Sequence, residues 1–297
     1  MRRASPAFAF FVACLGIATF SCMDAIMKRA SIDIGAYNAM LWRSIIGLLL
    51  SGPLFLVAHV KWPDRGRLLL HVKRSGAAGI SVLLFFWGLV RVPMAEGIAL
   101  SFLSPILALL LAAPMLGEKV GKSAISACLL AFAGVIVIVL GKAHEGGGPA
   151  AFHGAIAIII AGMFYAYNLV LLRRSALLAG AIEITFFTNL VFTGLYLIGA
   201  PIGAAWLPLD FLPLIALAAG LAVVSSLLLA WAYARAEAQR LVPVEFTAFL
   251  WAAILGAIVF GEKVLPLTIA GAAMIIAGCV IAARGRQAPV PSTEAAS

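Results

Sequence analysis

The sequence predicts an all-α integral membrane protein of ten transmembrane helices, arranged as two inverted five-helix repeats. Three observations carry that prediction. Hydrophobic residues make up 64% of the 297-residue chain, charged residues only 11%, and the mean hydropathy is +1.12, well outside the range of a soluble domain. Ten apolar segments fall at about residues 7–27, 36–58, 76–92, 95–115, 123–141, 153–172, 182–200, 211–233, 241–260 and 265–283, matching the roughly 20 residues that cross a bilayer core of about 30 Å. Finally, residues 76–91 and 220–235 coincide at seven of sixteen positions at an offset of 144: Gly76/Gly220, Ala78/Ala222, Ser81/Ser225, Leu83/Leu227, Leu84/Leu228, Trp87/Trp231 and Arg91/Arg235. Chance would match about one position in ten in so biased a composition.

The same offset carries Gly117-Glu118-Lys119-Val120 onto Gly261-Glu262-Lys263-Val264, Gly134 onto Gly278 and Gly141 onto Gly285. The first unit is thus residues 7–141 and the second 153–284, with 142–152 a flexible link and 285–297 a disordered cytoplasmic tail. Five segments per unit is an odd number, so the second unit enters the membrane upside down relative to the first.

Orientation follows from the basic residues. With both termini in the cytoplasm, fifteen of the 21 Lys and Arg lie inside and five outside, while Arg43 sits within a segment. The net charge of +9 then reflects topology and contact with anionic lipid, and no nucleic-acid partner is needed. The first segment follows Arg2 and Arg3 like a signal peptide, but it is longer than a typical signal core and nine more spans follow, so it reads as a retained helix.

Along the chain, polar residues inside apolar segments are the candidates for chemistry, because each is costly there unless it meets a partner or a wet cavity. In segment 1, Asp24 and Lys28 stand at i and i+4, where one face can hold an ion pair near the outer interface with Lys28 and Arg29 snorkelling; alternatively Asp24 lines a cavity and takes a cation or a proton. In segment 2, Arg43 follows Trp42. A permanently charged guanidinium needs a carboxylate such as Asp24, backbone carbonyls or an anionic ligand. In segment 3, Trp87 belongs either to an interfacial belt or to a pocket, and Gly76 and Gly79 mark close packing. Segment 4 carries Pro105.

In segment 6, Asn168 is the repeat counterpart of Asp24, and Tyr165 and Tyr167 add aromatic surface. Glu183 opens segment 7 as a helix cap or as a titratable group, with capping the stronger reading. Trp231 in segment 8 mirrors Trp87. In segment 9, Glu245 lies two residues after Pro243, either capping the first turn or presenting a protonatable, substrate-facing carboxylate. Trp251 follows one to two turns later. Glu118 and Glu262 belong to helix ends and loops, with contacts between the repeats as a further role. Gly134 and Gly278 serve packing in segments 5 and 10.

The four cysteines, Cys14, Cys22, Cys128 and Cys279, are scattered without ligand spacing and read as reduced packing residues. The four histidines lie at segment ends and in loops, so no metal site is indicated. No GxSxG, Walker A or HExxH motif occurs, so no catalytic residues, cofactor or primary pumping by this chain are expected.

Ten segments in a five-plus-five repeat, Pro105 within segment 4, and Gly-Glu-Lys-Val after segments 4 and 9 together resemble the EamA-type transporters of the drug/metabolite transporter superfamily. The run from Val242 to Ala252 is similar to the Pro-x-Glu-Tyr-Thr-Ala-Leu-x-Trp run of one bacterial branch. One departure is that Phe249 stands where the repeat register calls for a counterpart of Pro105, which leaves a break in segment 4 without a mirror in segment 9. The resemblance implies a cavity between segments 1–4 and 6–9, with 5 and 10 peripheral. Inverted repeats also suit alternating access around a midplane site.

The sequence therefore points to an inner-membrane secondary transporter for a small organic metabolite, driven by proton coupling or solute exchange. Export of an amino-acid-like solute leads. Uptake of a vitamin- or nucleoside-like solute, such as riboflavin or S-adenosylmethionine as in some relatives, is the alternative. A membrane-embedded lipid-handling or interaction protein is the non-transport reading. Candidate cavity residues are Asp24, Trp42, Arg43, Trp87, Tyr165, Asn168, Trp231, Glu245 and Trp251. Oligomeric state is not encoded in any readable pattern.

Overall fold

Residues that are apolar on every side hide the backbone from lipid only by closing its hydrogen bonds within each segment, which makes a helix the available form. The computed structural model of the chain describes residues 6–59, 62–116, 122–144, 148–176, 178–233 and 244–284. The first Gly-Glu-Lys-Val run, Arg235, Val242, Pro243 and the tail from residue 285 lie outside the described residues.

Eleven α-helices account for nearly all of it: α1 (Pro6–Ile34), α2 (Ala36–Val57), α3 (Arg65–Leu89), α4 (Met94–Ser101), α5 (Leu103–Leu116), α6 (Lys122–His144), α7 (Pro149–Ala176), α8 (Ala181–Gly203), α9 (Leu212–Tyr233), α10 (Thr247–Phe260) and α11 (Pro266–Arg284). Five of them, α1, α2, α3, α7 and α8, are each long and apolar enough to cross a membrane, and shorter apolar helices fill the other predicted segments. This is a multi-pass helical membrane protein.

Segment 4 is split into α4 and α5 at Phe102. Pro105 supplies the cause: it has no N–H for the Ser101 carbonyl, and its ring crowds that carbonyl. The Phe102 amide is shared between the carbonyls of Ile98 and Ala99, at 3.3 and 3.2 Å. The expectation that segment 9 lacks such a break is corrected by the structure. Val244 and Glu245 are helical, Phe246 is a turn, and α10 begins at Thr247. Phe246 is 144 residues after Phe102, and the two rings meet edge to face at 5.5 Å. A proline is therefore not required for this break.

The helices pair in a regular way. α1 lies along α9, α3 along α7, α2 along α8, and α6 along α11. A shift of 144 residues carries α1 onto α7 and α3 onto α9, so the first two pairs exchange with each other. Ser81 and Ser225, coincident in the repeat, make matching bonds: the Ser81 hydroxyl donates to the Ala161 carbonyl and the Ser225 hydroxyl to the Gly16 carbonyl, each at 2.8 Å.

Close approach is set by small residues. A side chain at Gly134 would begin 2.6 Å from the Gly271 carbonyl oxygen of α11, so only glycine permits this crossing. Gly79 is likewise packed against Leu195 and Phe192, but Gly76 faces open space and does not bring helices together.

Candidate substrate site

Asp24 projects from the middle of α1 and is buried. Arg43, two turns into α2, is half-buried and donates to the Met23 sulfur at 3.5 Å. The two opposite charges act on one another, yet among the described residues no ion pair joins them and Asp24 has no hydrogen bond. A direct Asp24–Arg43 bridge, one of the readings open in the sequence, is not what this structure contains.

Tyr165 lies on α7, which packs mainly on α3, α5 and α4, whereas α1 packs mainly on α9, α10 and α2. Across that division the charges of Asp24 and Glu245 both reach Tyr165. Tyr165 nonetheless leaves 42% of its surface open. Asp24 is thus within electrostatic reach of both Arg43 and Tyr165, and Glu245 of Tyr165.

Glu245 sits immediately before the turn at Phe246, as Ser101 sits before Phe102. Cys279 of α11, within electrostatic reach of Glu245, donates its thiol to the Phe102 carbonyl at 3.3 Å. Broken helices at membrane depth are tolerated where the freed backbone is re-satisfied or lines a cavity, and here both breaks lie beside the polar cluster.

The other predicted residues lie elsewhere. Trp42 donates its indole N–H to the Ala205 carbonyl at 3.1 Å and packs near Trp206, so it faces the chain between α8 and α9. Trp87 is exposed, with the Arg91 guanidinium 3.5 Å from its ring centroid. Trp231 meets Phe8 edge to face and shares an apolar cluster with Trp251, Val12 and Ala13. Asn168 is buried, and its Oδ1 has no hydrogen-bond partner among the described residues.

Three features escape the sequence reading. Tyr196 of α8 is fully buried beside Arg43, with its hydroxyl donating to the Gly79 carbonyl at 2.8 Å; a lone tyrosine in an otherwise apolar run was the available signal. Glu183 does not cap α8. It bonds the buried His71 ring at 3.0 Å, while neighbouring Arg74 donates to Thr188 at 2.6 Å, so α3 and α8 share a polar joint. Lys28 does not snorkel: it is 2% exposed and ion-paired with Glu262, whereas Arg29 pairs with Asp33 at 2.8 Å.

The chain is similar to known proteins over nearly its whole length. The pseudopaline exporter CntI of Pseudomonas aeruginosa strain UCBPP-PA14 is 26% identical over 284 residues, covering 93% of this chain and 96% of the relative. The pseudopaline exporter of strain PAO1 has the same identity and coverage. A solved crystal structure superposes with a TM-score of 0.61 at 20% identity, covering 96% of this chain and all of the other, which shows a shared fold. Residues 7–140 and 152–284 each match the EamA-like transporter family, and the chain belongs to that family.

Proposed function

We propose that this protein is a secondary transporter that exports a small zwitterionic, amino-acid-like metabolite across the inner membrane by alternating access. The observation that carries the reading is the unbridged pair of oppositely charged residue types, Asp24 and Arg43, inside the bundle, with Asp24 and Glu245 both in electrostatic reach of Tyr165. A guanidinium suits a carboxylate, an acidic side chain suits an ammonium group, and an aromatic face suits either a flat or a cationic body. Export is favoured by the relatives, which are named for exporting pseudopaline. Either a proton gradient or solute exchange supplies the energy.

Two inverted five-helix repeats with both termini in the cytoplasm make up the carrier. Support comes from the exchange of the α1–α9 and α3–α7 pairs under the 144-residue shift, from the matched serine bonds, and from the breaks at Phe102 and Phe246. Such a pair of bundles can rock around a central site.

The test is counterflow in liposomes holding the purified protein, with pooled labelled amino acids, riboflavin and S-adenosylmethionine, with and without a pH gradient. Saturable flux of amino acids that disappears in Arg43→Gln and in Glu245→Gln supports the reading. Flux confined to riboflavin or S-adenosylmethionine would replace the substrate class, and no flux from folded, inserted protein would count against transport of these solutes.

A further inference from the structure

Where α10 ends, Gly261 takes a left-handed conformation (φ 65) that glycine adopts without strain. Its amide bonds the Ala257 carbonyl at 3.1 Å and the Glu262 amide bonds the Gly256 carbonyl at 3.0 Å, so the chain folds back over its own last turn. Glu262 is thereby laid against Gly256, where an added side chain would begin 2.7 Å from its Oε2. The carboxylate reaches two donors from the other half of the sequence. One is the Lys28 ammonium of α1; the other is the Met94 amide, at 2.6 Å, which opens α4. Lys28 also donates to the Val92 carbonyl at 2.9 Å and sits 4.9 Å from the centre of the Phe260 ring.

Three separate stretches of chain therefore meet at one carboxylate, at the end of the bundle away from the termini. Directly beneath it Ala25, Met94, Ile98 and Ala252 pack in a buried cluster with Phe85 and Leu255 alongside. Asp24 lies one helical turn below Lys28, on the same face. The tie thus lies one helical turn from Asp24, toward that end of the bundle, with the apolar cluster beside it.

We propose that Lys28, Glu262 and the Met94 amide form the gate that closes the transport path on the face where Lys28 lies, and that opening to that face requires Glu262 to leave both donors. The proposal rests on the transporter reading above. If the α10 end swings away without water entering, the buried Lys28 ammonium and the Met94 amide both lose the Glu262 carboxylate as acceptor, while Glu96 stays in the first turn of α4. Partial separation is disfavoured for this reason, and the contact behaves as a two-state closure. The shift of population on removing the carboxylate is then large enough to read as access.

The experiment is side-specific labelling of a Tyr165→Cys reporter in a background with the four native cysteines replaced, using a membrane-impermeant maleimide on vesicles of both orientations. Glu262→Gln is expected to raise labelling from the Lys28 face by about tenfold, within the usual range of conformational coupling, and to lower it from the opposite face. Lys28→Gln serves as the second variant, with the same reporter, and should likewise raise labelling from the Lys28 face. Access from both faces that is unaltered by Glu262→Gln and by Lys28→Gln would overturn the gate while leaving the transporter reading intact. A reporter closed to both faces in every variant would overturn both.

Discussion

Ser225 donates its hydroxyl to the carbonyl of Gly16 at 2.8 Å, tying α9 to α1 where the two helices pass. Ser81 does the same to Ala161, tying α3 to α7 at the same distance. Ala161 is one residue past the repeat counterpart of Gly16, so the two crossings share chemistry and nearly share register. Each accepting carbonyl is already part of a helix, so removing the hydroxyl leaves no orphaned backbone group. Ser225→Ala should therefore lower stability by only about 0.5–1.5 kcal/mol, and Ser81→Ala by a similar amount. Because the sites are in separate helix pairs, the double variant should be near the sum. Thermal unfolding of the detergent-solubilised protein, followed by size-exclusion recovery, checks all three; a strongly unequal pair would break the equivalence of the crossings.

Gly134 and Gly271 bring α6 and α11 into contact at their backbones. An alanine at 134 places its methyl 2.6 Å from a carbonyl oxygen that belongs to the opposing helix and cannot rotate away. Gly134→Ala should destabilise by about 1–3 kcal/mol, the usual cost of overpacking. Gly76→Ala provides the contrast, since nothing stands within 4 Å of that position and alanine is the better helix former. Its thermal midpoint should be equal to or above that of the unaltered protein, and a fall comparable to that of Gly134→Ala would contradict the packing described.

Asp64 caps α3 from outside the membrane-spanning part. Its side chain accepts the Arg67 amide at 2.9 Å and the Arg67 guanidinium at 3.0 Å, and these bonds, the backbone one foremost, hold its carboxyl below the usual range. A depressed folded pKa means that the fold favours the ionised form. The contribution is present above the ordinary value of about 4 and is lost as pH falls through the lower folded value. The protection of the Arg67 amide, its exchange relative to the intrinsic rate at the same pH, should be high at neutral pH and fall only under strongly acid conditions. Asp64→Ala should exchange quickly throughout, whereas Asp64→Asn, itself a good cap, should stay protected in acid. Loss of protection near neutral pH would show that another group controls this turn.

The legible part of the fold was what runs along the chain. Apolar length located the spans, and the 144-residue register placed Ser81 with Ser225 and Asp24 with Asn168. Pro105 announced the break at Phe102. Contacts that depend on how each helix is turned toward its neighbours were not legible. Lys28 has a carboxylate four residues away in Asp24, yet its ion pair is with Glu262, 234 positions on. His71 and Glu183 find each other across α3 and α8 for the same reason. Trp42 adjoins Arg43 in sequence but points to Ala205, because successive residues on a helix face different directions. The break at Phe246 was hidden because no proline marks it.

Arg43 has a sulfur contact and two electrostatic neighbours, Asp24 and Tyr196, but no ion pair among the described residues. Two roles make different demands on it. Balancing the charge of Asp24 requires only a cation, which lysine supplies. Gripping a carboxylate with two parallel N–H bonds requires the planar fork of a guanidinium. If the second role is the working one, Arg43→Lys should fold and insert like the unaltered protein but lose one charge-assisted bond to the solute, a loss of about 10- to 100-fold in apparent affinity. Arg43→Gln should lose saturable counterflow altogether. The contrast between KM and maximal rate for Arg43→Lys is the decisive measurement: a raised KM with intact folding places the guanidinium on the substrate, whereas unchanged kinetics would confine Arg43 to supplying a cation near Asp24.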